Sequence, residues 1–200
     1  MADIASLFVT KLYRAALDGV DVRDLAKSCR AIAADDVAGQ AWSKEKNYRG
    51  YTSYASLDDL PKRDPSIAAL VKVLDKHTAA FARELHLELG GRKLKLDSIW
   101  INVLEPGGVH SGHIHPHSVL SGTFYVETPP GSSALKLEDP RHPMMMAAPM
   151  RSEGAPESER TFVYVTPKAG EVLMWESFVR HEVPANAAKK SRISISFNYA

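Results

Sequence analysis

The chain has 200 residues, of which 44% are hydrophobic and 24% are charged, and its formal net charge is +1. This composition is that of an ordinary globular protein, and the length suffices for a sizeable core. The near-neutral charge gives no electrostatic reason to expect nucleic acid or an anionic membrane as a partner. Cys29 is the only cysteine, which excludes an intramolecular disulfide.

The N-terminal stretch MADIASLFVTKLYRAAL is partly apolar, but it contains Asp3, Lys11 and Arg14. It lacks the order of charged, apolar and small residues that marks a secretion signal, and it is too short to cross a bilayer. We therefore expect a cytoplasmic protein that has no membrane partner.

Residues 1–97 are expected to form a mainly helical N-terminal part. Residues 7–13 are rich in β-forming side chains and favour a short first strand, with a helix as the alternative. The following segment, DVRDLAKSCRAIAADD, repeats apolar residues at helical spacing and has Asp21 or Asp24 near its start. It predicts the first helix.

Residues 42–63 show no steady period and predict irregular surface structure. A long helix is predicted from Pro65 to about Leu89, where Gly90 and Gly91 end it. Its apolar residues recur on one helical stripe: Ile67, Leu70, Val71, Leu74, Phe81 and Leu85.

After Gly91 the apolar period changes to two, which indicates strands, and residues 98–200 are expected to form the β core. Turn signals separate the strand segments KLKLDSIWINVLEPGG, HIHPHSVLSGTFYVETPPG, ALKLEDPR, RTFVYVTPKAGEVLMWES and SRISISFNYA. We predict a mainly β fold, a sandwich or jelly roll with the N-terminal helices packed outside, in one domain spanning 1–200. Residues 141–159 are rich in Met, Pro and Ala and predict a long loop, a connector in preference to a lid.

The stretch HSGHIHPHS, residues 110–118, holds four of the eight histidines. In a strand, His113 and His115 project from the same face, with Ile114 turned into the core. Two such imidazoles suit one divalent ion of iron, zinc, nickel or manganese. A solvent-facing polar strand is the alternative.

A metal site needs a third ligand, and His181 in WESFVRHEVPAN is the best candidate, because it follows a strand in a short polar turn. His110 is expected to support the site or to be structural. The histidines of the long helix and of the Met-rich loop are expected to be incidental.

Eleven residues after His181, Arg192 shares a strand face with Ser194 and Ser196. A buried arginine is costly unless an anion pairs with it, and its planar fork suits a carboxylate. An arginine on the solvent face of an edge strand is the alternative.

The order of these motifs resembles the Fe(II)/2-oxoglutarate-dependent oxygenases. The segments HIHPHSVLSGTFYVETPPG, LEDPR, PKAGEVLMWESFVRHEVPAN and SRISISFN are similar to a mostly bacterial subgroup of them, over residues 98–198. The resemblance implies a double-stranded β-helix that uses Fe(II), 2-oxoglutarate and O2. It also implies hydroxylation of a small-molecule or peptide substrate, with release of succinate and CO2. A homodimer is compatible with the sequence.

The resemblance also implies roles for residues. His113 and His181 would be metal ligands, and Arg192, assisted by Ser194, would bind the distal carboxylate of 2-oxoglutarate. Two further residues, Tyr125 and Asn102, would contact the same cosubstrate.

His115 departs from the family pattern, because it occupies the slot that an aspartate or glutamate usually fills. Either His115 completes the metal site, or Glu105 or Glu127 supplies a carboxylate. The alternative function is a three-histidine, cupin-type metalloenzyme without 2-oxoglutarate, a thiol dioxygenase or an isomerase. A non-catalytic module with a closed zinc site is the third hypothesis.

Overall fold

The structure is a computed structural model that describes residues 2–200, with ten strands and four helices in the described part. The helices are α1 (Val22–Asp35), α2 (Val37–Glu45), α3 (Leu60–Arg63) and α4 (Pro65–Glu84). The strands are β1 (Tyr13–Ala16), β2 (Gly50–Thr52), β3 (Leu96–Leu104), β4 (His110–His113), β5 (Leu120–Glu127), β6 (Leu135–Glu138), β7 (Phe162–Val165), β8 (Glu171–Glu176), β9 (His181–Val183) and β10 (Arg192–Tyr199).

The strands form two antiparallel sheets. The six-stranded major sheet has the order β1-β8-β5-β10-β3-β2, and the four-stranded minor sheet has the order β4-β9-β6-β7. The chain moves between the sheets at nearly every step from β3 to β10. This crossing pattern is that of a double-stranded β-helix, so the predicted jelly roll is confirmed.

The N-terminal part contributes a strand to each edge of the major sheet, through β1 beside β8 and β2 beside β3. The first strand, predicted at residues 7–13, lies further along the chain at Tyr13–Ala16, and Leu7 and Val9 before it are exposed. The prediction of irregular surface for residues 42–63 is wrong. That segment contains the end of α2, buried β2 and α3, which are too short to show a period.

Side-chain caps begin the two longer helices. Asp21 accepts hydrogen bonds from the first turn of α1, and Asp64 does the same for α4. The long helix ends at Glu84 and not near Leu89, because His86 takes a left-handed backbone conformation with φ 55°.

The core has two layers. Helices α1 and α4 cover the outer face of the major sheet, where Leu70 and Leu74 are completely buried. A second layer lies between the two sheets and contains Tyr125 and Trp175. Burial of one such side chain stabilises the fold by about 1.5–3 kcal/mol.

The Met-rich segment is a long loop with two short 3-10 turns, His142–Met144 and Glu157–Glu159. Its Met144, Met146 and Met150 side chains are exposed. Within residues 2–200, no helix combines the length and apolarity that crossing a membrane requires.

Candidate active site

Strand pairing brings two of the predicted ligands together at one end of the minor sheet. His113 ends β4, His181 begins β9, and the two are direct cross-strand partners. His115 follows β4, and its backbone N–H donates to the Ser177 carbonyl. The short distance between paired residues of adjacent strands therefore holds two of the imidazoles near each other.

The three imidazoles converge on one point. The ring centroids of His113 and His181 are 4.4 Å apart, and each lies 5.0 Å from the centroid of His115. One ligand atom from each ring lies within 4.8 Å of the others, which is the spacing that one shared metal ion requires. Histidine nitrogens are ligands that iron, zinc and nickel all accept.

Each of the three histidines makes a hydrogen bond through the same ring nitrogen, Nδ1. His113 Nδ1 donates to the Ser111 carbonyl at 2.7 Å, and His181 Nδ1 donates to the Val179 carbonyl at 3.0 Å. His115 Nδ1 donates to the side-chain oxygen of Asn198 at 2.5 Å. Because each Nδ1 carries the proton, each Nε2 keeps a free lone pair. This pattern prepares three neutral nitrogen donors.

Burial favours the uncharged form of two of these rings, those of His181 and His115. It lowers the pKa of His181 to about 3, with the neighbouring His113 contributing to the shift. Burial also lowers the pKa of His115, against a smaller opposing effect of its bond to Asn198. Protons therefore do not compete with a metal for these two nitrogens near neutral pH.

Two details of the predicted geometry are wrong. Ile114 is 46% exposed and lines the site cavity, because β4 ends at His113 and the alternation stops there. His181 begins a strand and is buried; it does not lie in a polar turn.

Neither of the considered carboxylates reaches the histidines. Glu105 accepts a hydrogen bond from Ser191, and Glu127 pairs with Arg30 on helix α1. Among the described residues, the histidine cluster has three members and no fourth protein ligand. A closed four-ligand zinc site therefore has no support, whereas a site with open positions does.

The predicted anion-binding residues lie on neighbouring strands of the major sheet. Arg192 is 3% exposed, and its guanidinium lies over the Tyr125 ring at 5.1 Å. The guanidinium donates to the Ser133 carbonyl at 3.2 Å. Ser194 is buried on the same face as Arg192 and is paired with Tyr125 across β5 and β10.

Asn102 is buried in the wall of the same cavity. Its side-chain oxygen accepts from Thr52, and its amide donates to Ser196, which leaves one amide proton free. His110 Nε2 and the Tyr48 hydroxyl share a hydrogen bond of 2.8 Å. Burial, assisted by the charge of Arg192, lowers the pKa of His110 to about 3.

Asn198 was not among the predicted site residues, yet it orients His115 and also bonds to Ser121 and Ser98. The signal was available, because Asn198 continues the alternating row of Arg192, Ser194 and Ser196 along β10. The four side chains of this row line the cavity.

The histidines and Arg192 share one cavity of about 760 Å³. Its outer part is lined by Trp42, Tyr54 and Asp97, which sequence analysis also missed. No residue of the Met-rich loop, 141–159, lines this cavity.

The chemistry of the residues fits a metal ion and an acidic cosubstrate. Five buried polar atoms have no hydrogen-bond partner among the described residues, and all belong to residues at or near the cavity: His115 Nε2, Arg192 Nε, Tyr125 Oη, Trp175 Nε1 and Ser133 Oγ. Unsatisfied buried polar groups are rare unless a ligand completes them. The fold and the site together define an open, three-histidine metal site in a double-stranded β-helix.

A family comparison identifies the class more closely. The family model described as "Putative 2OG-Fe(II) oxygenase" matches residues 98–198, just over half of the chain. The chain therefore belongs to this family of iron(II)- and 2-oxoglutarate-dependent oxygenases, and the resemblance seen in the sequence is confirmed. No curated protein matches the chain by sequence.

Solved structures share the fold at low identity. A Pseudomonas putida prolyl-4-hydroxylase is 19% identical with a TM-score of 0.62, covering 95% of this chain and 92% of its own. HygX from Streptomyces hygroscopicus, solved with nickel and 2-oxoglutarate, is 15% identical with a TM-score of 0.63, covering 96% and 83%. The carbocyclase SnoK from nogalamycin biosynthesis is 14% identical with a TM-score of 0.64, covering 95% and 79%.

Proposed function

We propose that this member of the family is an Fe(II)- and 2-oxoglutarate-dependent dioxygenase that hydroxylates a small-molecule or peptide substrate. The observation that carries the proposal is the shared cavity, with three converging neutral imidazoles beside a buried, incompletely bonded arginine. The first group suits a divalent metal and the second suits a carboxylate.

The Nε2 atoms of His113, His115 and His181 would hold the iron. Each ring is oriented by its Nδ1 hydrogen bond, so no rotation is needed when the ion binds. Three protein ligands leave positions open on an ion that accepts six. When bound, iron, 2-oxoglutarate and O2 supply the oxidising chemistry, in which the 2-oxo acid yields succinate and CO2 and the substrate gains oxygen.

Arg192 would bind the distal carboxylate of 2-oxoglutarate, together with the hydroxyl groups of Ser194 and Tyr125. The Arg192 Nε and the Tyr125 hydroxyl have no partners among the described residues, so both can donate to the acid. Packing of the guanidinium over the Tyr125 ring fixes the direction of the fork. Asn102 would offer its remaining amide proton from the neighbouring strand.

The all-histidine ligand set changes the charge of the site. Neutral imidazoles leave both positive charges of Fe(II) uncompensated by the protein, whereas the usual carboxylate ligand would cancel one. A dianionic cosubstrate balances this charge, and Arg192 adds a further positive charge behind it. The site therefore favours 2-oxoglutarate over monoanionic acids on electrostatic grounds.

The test is an anaerobic titration of the purified protein with Fe(II) and then 2-oxoglutarate, followed by the metal-to-ligand absorption of the chelate. We expect this absorption in the wild type, and its loss in His181→Ala. In Arg192→Met we expect it only at 2-oxoglutarate concentrations about 100-fold higher or more. Arg141→Met is the control, since Arg141 pairs with Asp139 and does not line the cavity.

The same titration distinguishes the proposed dioxygenase from the alternative function. Metal binding without any response to 2-oxoglutarate, in wild type and Arg192→Met alike, would overturn the proposal. It would favour the three-histidine metalloenzyme that does not use a 2-oxo acid. Succinate released in proportion to 2-oxoglutarate consumed would support the dioxygenase.

A further inference from the structure

The outer part of the cavity carries a row of aromatic rings that leads to the metal site. The Trp42 and Tyr54 rings are 6.5 Å apart, and Tyr54 meets Trp100 edge-on at 5.3 Å. Trp100 in turn stacks on His115 at 5.8 Å. We call Trp42, Tyr54 and Trp100 the aromatic corner. Its rings are mutually tilted by 56° and 76°, so they do not stack into a flat surface.

The aromatic corner is more than core packing. Tyr54 is 63% exposed, although a tyrosine that served only packing would bury its ring. All three rings line the cavity, and Trp100 lies directly against a proposed metal ligand. A group bound at the corner therefore lies one ring away from the reacting end of the cavity.

A carboxylate faces the same space. Asp97 and Arg192 are the only formally charged residues among the described residues that line the cavity. Arg192 is buried, whereas Asp97 is exposed and forms no ion pair or hydrogen bond with any described residue. The two charges therefore differ in setting: one is enclosed in protein, and the other is open to solvent.

A break in the strand register explains how Asp97 comes to line the cavity. Asn198 of β10 pairs with Ser98, but the next residue, Tyr199, pairs with Leu96, so Asp97 is the extra residue of a β-bulge. Regular alternation would place Asp97 on the face of Ile99, which packs in the core against the helices. A bulge re-aims a side chain in this way, and bulges are frequent beside active sites.

We infer that the aromatic corner and Asp97 bind an organic cation, an alkylammonium or guanidinium group, and that this cation is part of the substrate. Aromatic faces attract cations through the ring quadrupole, and the carboxylate supplies the opposite charge. An anionic group would be repelled by Asp97. A purely apolar group would remove water from Asp97 without replacing its interactions.

The substrate assignment rests on the proposed function, whereas binding of the cation does not. With the cationic group at the corner, the aliphatic carbons next to it extend past Trp100 towards the histidines. A free amine and the lysine side chain of a peptide both present this cation, and the recognising chemistry is the same for both.

Tryptophan fluorescence gives a direct binding test, because the three tryptophans of the chain, Trp42, Trp100 and Trp175, all line the cavity. The full chain is titrated with butylammonium and with its neutral analogue butanol, both with Fe(II) and 2-oxoglutarate under nitrogen and without metal. We expect a saturable change with butylammonium at concentrations at least about tenfold lower than with butanol. Equal responses to the two compounds would overturn the inference.

Two variants locate the site without removing a tryptophan. Asp97→Asn and Tyr54→Leu should each weaken butylammonium binding about three- to tenfold. The matched controls are Asp18→Asn and Tyr164→Leu, which alter exposed residues away from the cavity and should bind as the wild type does. Unchanged binding in both Asp97→Asn and Tyr54→Leu would contradict the assignment.

Succinate release tests whether the cation is part of the substrate. It also distinguishes a free amine from a peptide lysine as the source of the cation. Lysine and acetyl-Gly-Lys-Gly amide are compared with norleucine and acetyl-Gly-norleucine-Gly amide, which lack the cationic group. Stimulation by either lysine compound above its norleucine analogue supports the inference and shows which source is used. If the iron–2-oxoglutarate absorption forms but neither lysine compound stimulates turnover, the substrate inference fails while the proposed function stands. Loss of that absorption defeats the proposed function and leaves the fluorescence result intact.

Discussion

His115 donates its Nδ1 proton to the side-chain oxygen of Asn198 across 2.5 Å, between the loop after β4 and the last strand of the major sheet. Asn198 is itself held, because its oxygen also accepts from Ser121 and its amide donates to Ser98. His115, a proposed metal ligand, is therefore oriented by an amide that is bonded on both sides.

Asn198→Ala should lower metal affinity about 10- to 100-fold, because His115 loses the partner that fixes its tautomer and ring direction. The free energy of unfolding should also fall, by about 1–3 kcal/mol, since buried donors lose their acceptor. Isothermal titration with Mn(II) measures the first effect and urea denaturation the second.

Two variants separate orientation from general destabilisation. Asn198→Asp keeps an acceptor for His115 and should recover most of the metal affinity. Asn186→Ala removes another buried amide, which bonds to the Leu104 carbonyl away from the histidines. It should destabilise the fold with no change in metal affinity. Metal affinity of Asn198→Ala equal to that of the wild type would show that His115 needs no positioning.

His115→Ala should lower metal affinity more than about 100-fold, beyond the loss expected for a residue that only positions a ligand. Glu105→Gln and Glu127→Gln should change it less than threefold, because these side chains bond to Ser191 and Arg30. Mn(II) titration of the three variants compares them directly. A large loss in either glutamine variant, with little loss in His115→Ala, would mean that a carboxylate is the third ligand.

Arg192→Met should leave the protein without 2-oxoglutarate as stable as the wild type or more stable, by up to about 4 kcal/mol. The reason is that Arg192 is a buried cation whose Nε has no partner, and apolar replacement of such a charge removes its desolvation cost. Urea denaturation with and without 2-oxoglutarate and metal measures this. The ligand should stabilise the wild type and not the variant.

A loss of about 1 kcal/mol or more in Arg192→Met without 2-oxoglutarate would contradict this expectation. It would show that the fold itself already compensates the guanidinium, through Ser133 and the Tyr125 ring.

We expect the free energy of unfolding of the metal-free protein to fall in acid because of His110. Its pKa is about 3 in the folded protein, because of burial, and 6.5 as a free side chain, so the unfolded chain binds the additional proton between these values. The contribution of neutral His110 to the free energy of unfolding is fully present above pH 6.5. It is lost as the pH falls towards 3, by up to about 1.4 kcal/mol per pH unit. His110→Gln should flatten the stability curve between pH 6.5 and 4, as followed by urea denaturation. Parallel curves for the two proteins would refute the assignment.

The chemistry of the site was predictable from the sequence because it depends on alternation along strands. His113 and Arg192 both occupy strand positions whose facing follows from a period of two. The pairing of His113 with His181 was not predictable, because it is set by the register between β4 and β9. The two histidines are 68 positions apart in the sequence. The family resemblance supplied that pairing, and the structure shows its geometry.

The outer cavity was not predictable for two physical reasons. Trp42 and Tyr54 lie in a segment whose elements are too short for a period, so the segment appeared to be surface. Asp97 lies at a β-bulge, and a bulge reverses the facing that alternation assigns. Both features depend on how β3 meets its neighbours, which local sequence does not encode.

In the proposed complex, three histidine nitrogens bind iron and one arginine binds 2-oxoglutarate, all in a single cavity. A crystal structure of the protein with Fe(II) and 2-oxoglutarate, with anomalous scattering at the iron edge, shows whether this arrangement forms. We expect one iron peak about 2.1 Å from the Nε2 atoms of His113, His115 and His181, with the distal carboxylate of the acid on Arg192. An iron peak that a glutamate of the chain coordinates, or a 2-oxoglutarate bound away from Arg192, would contradict this arrangement.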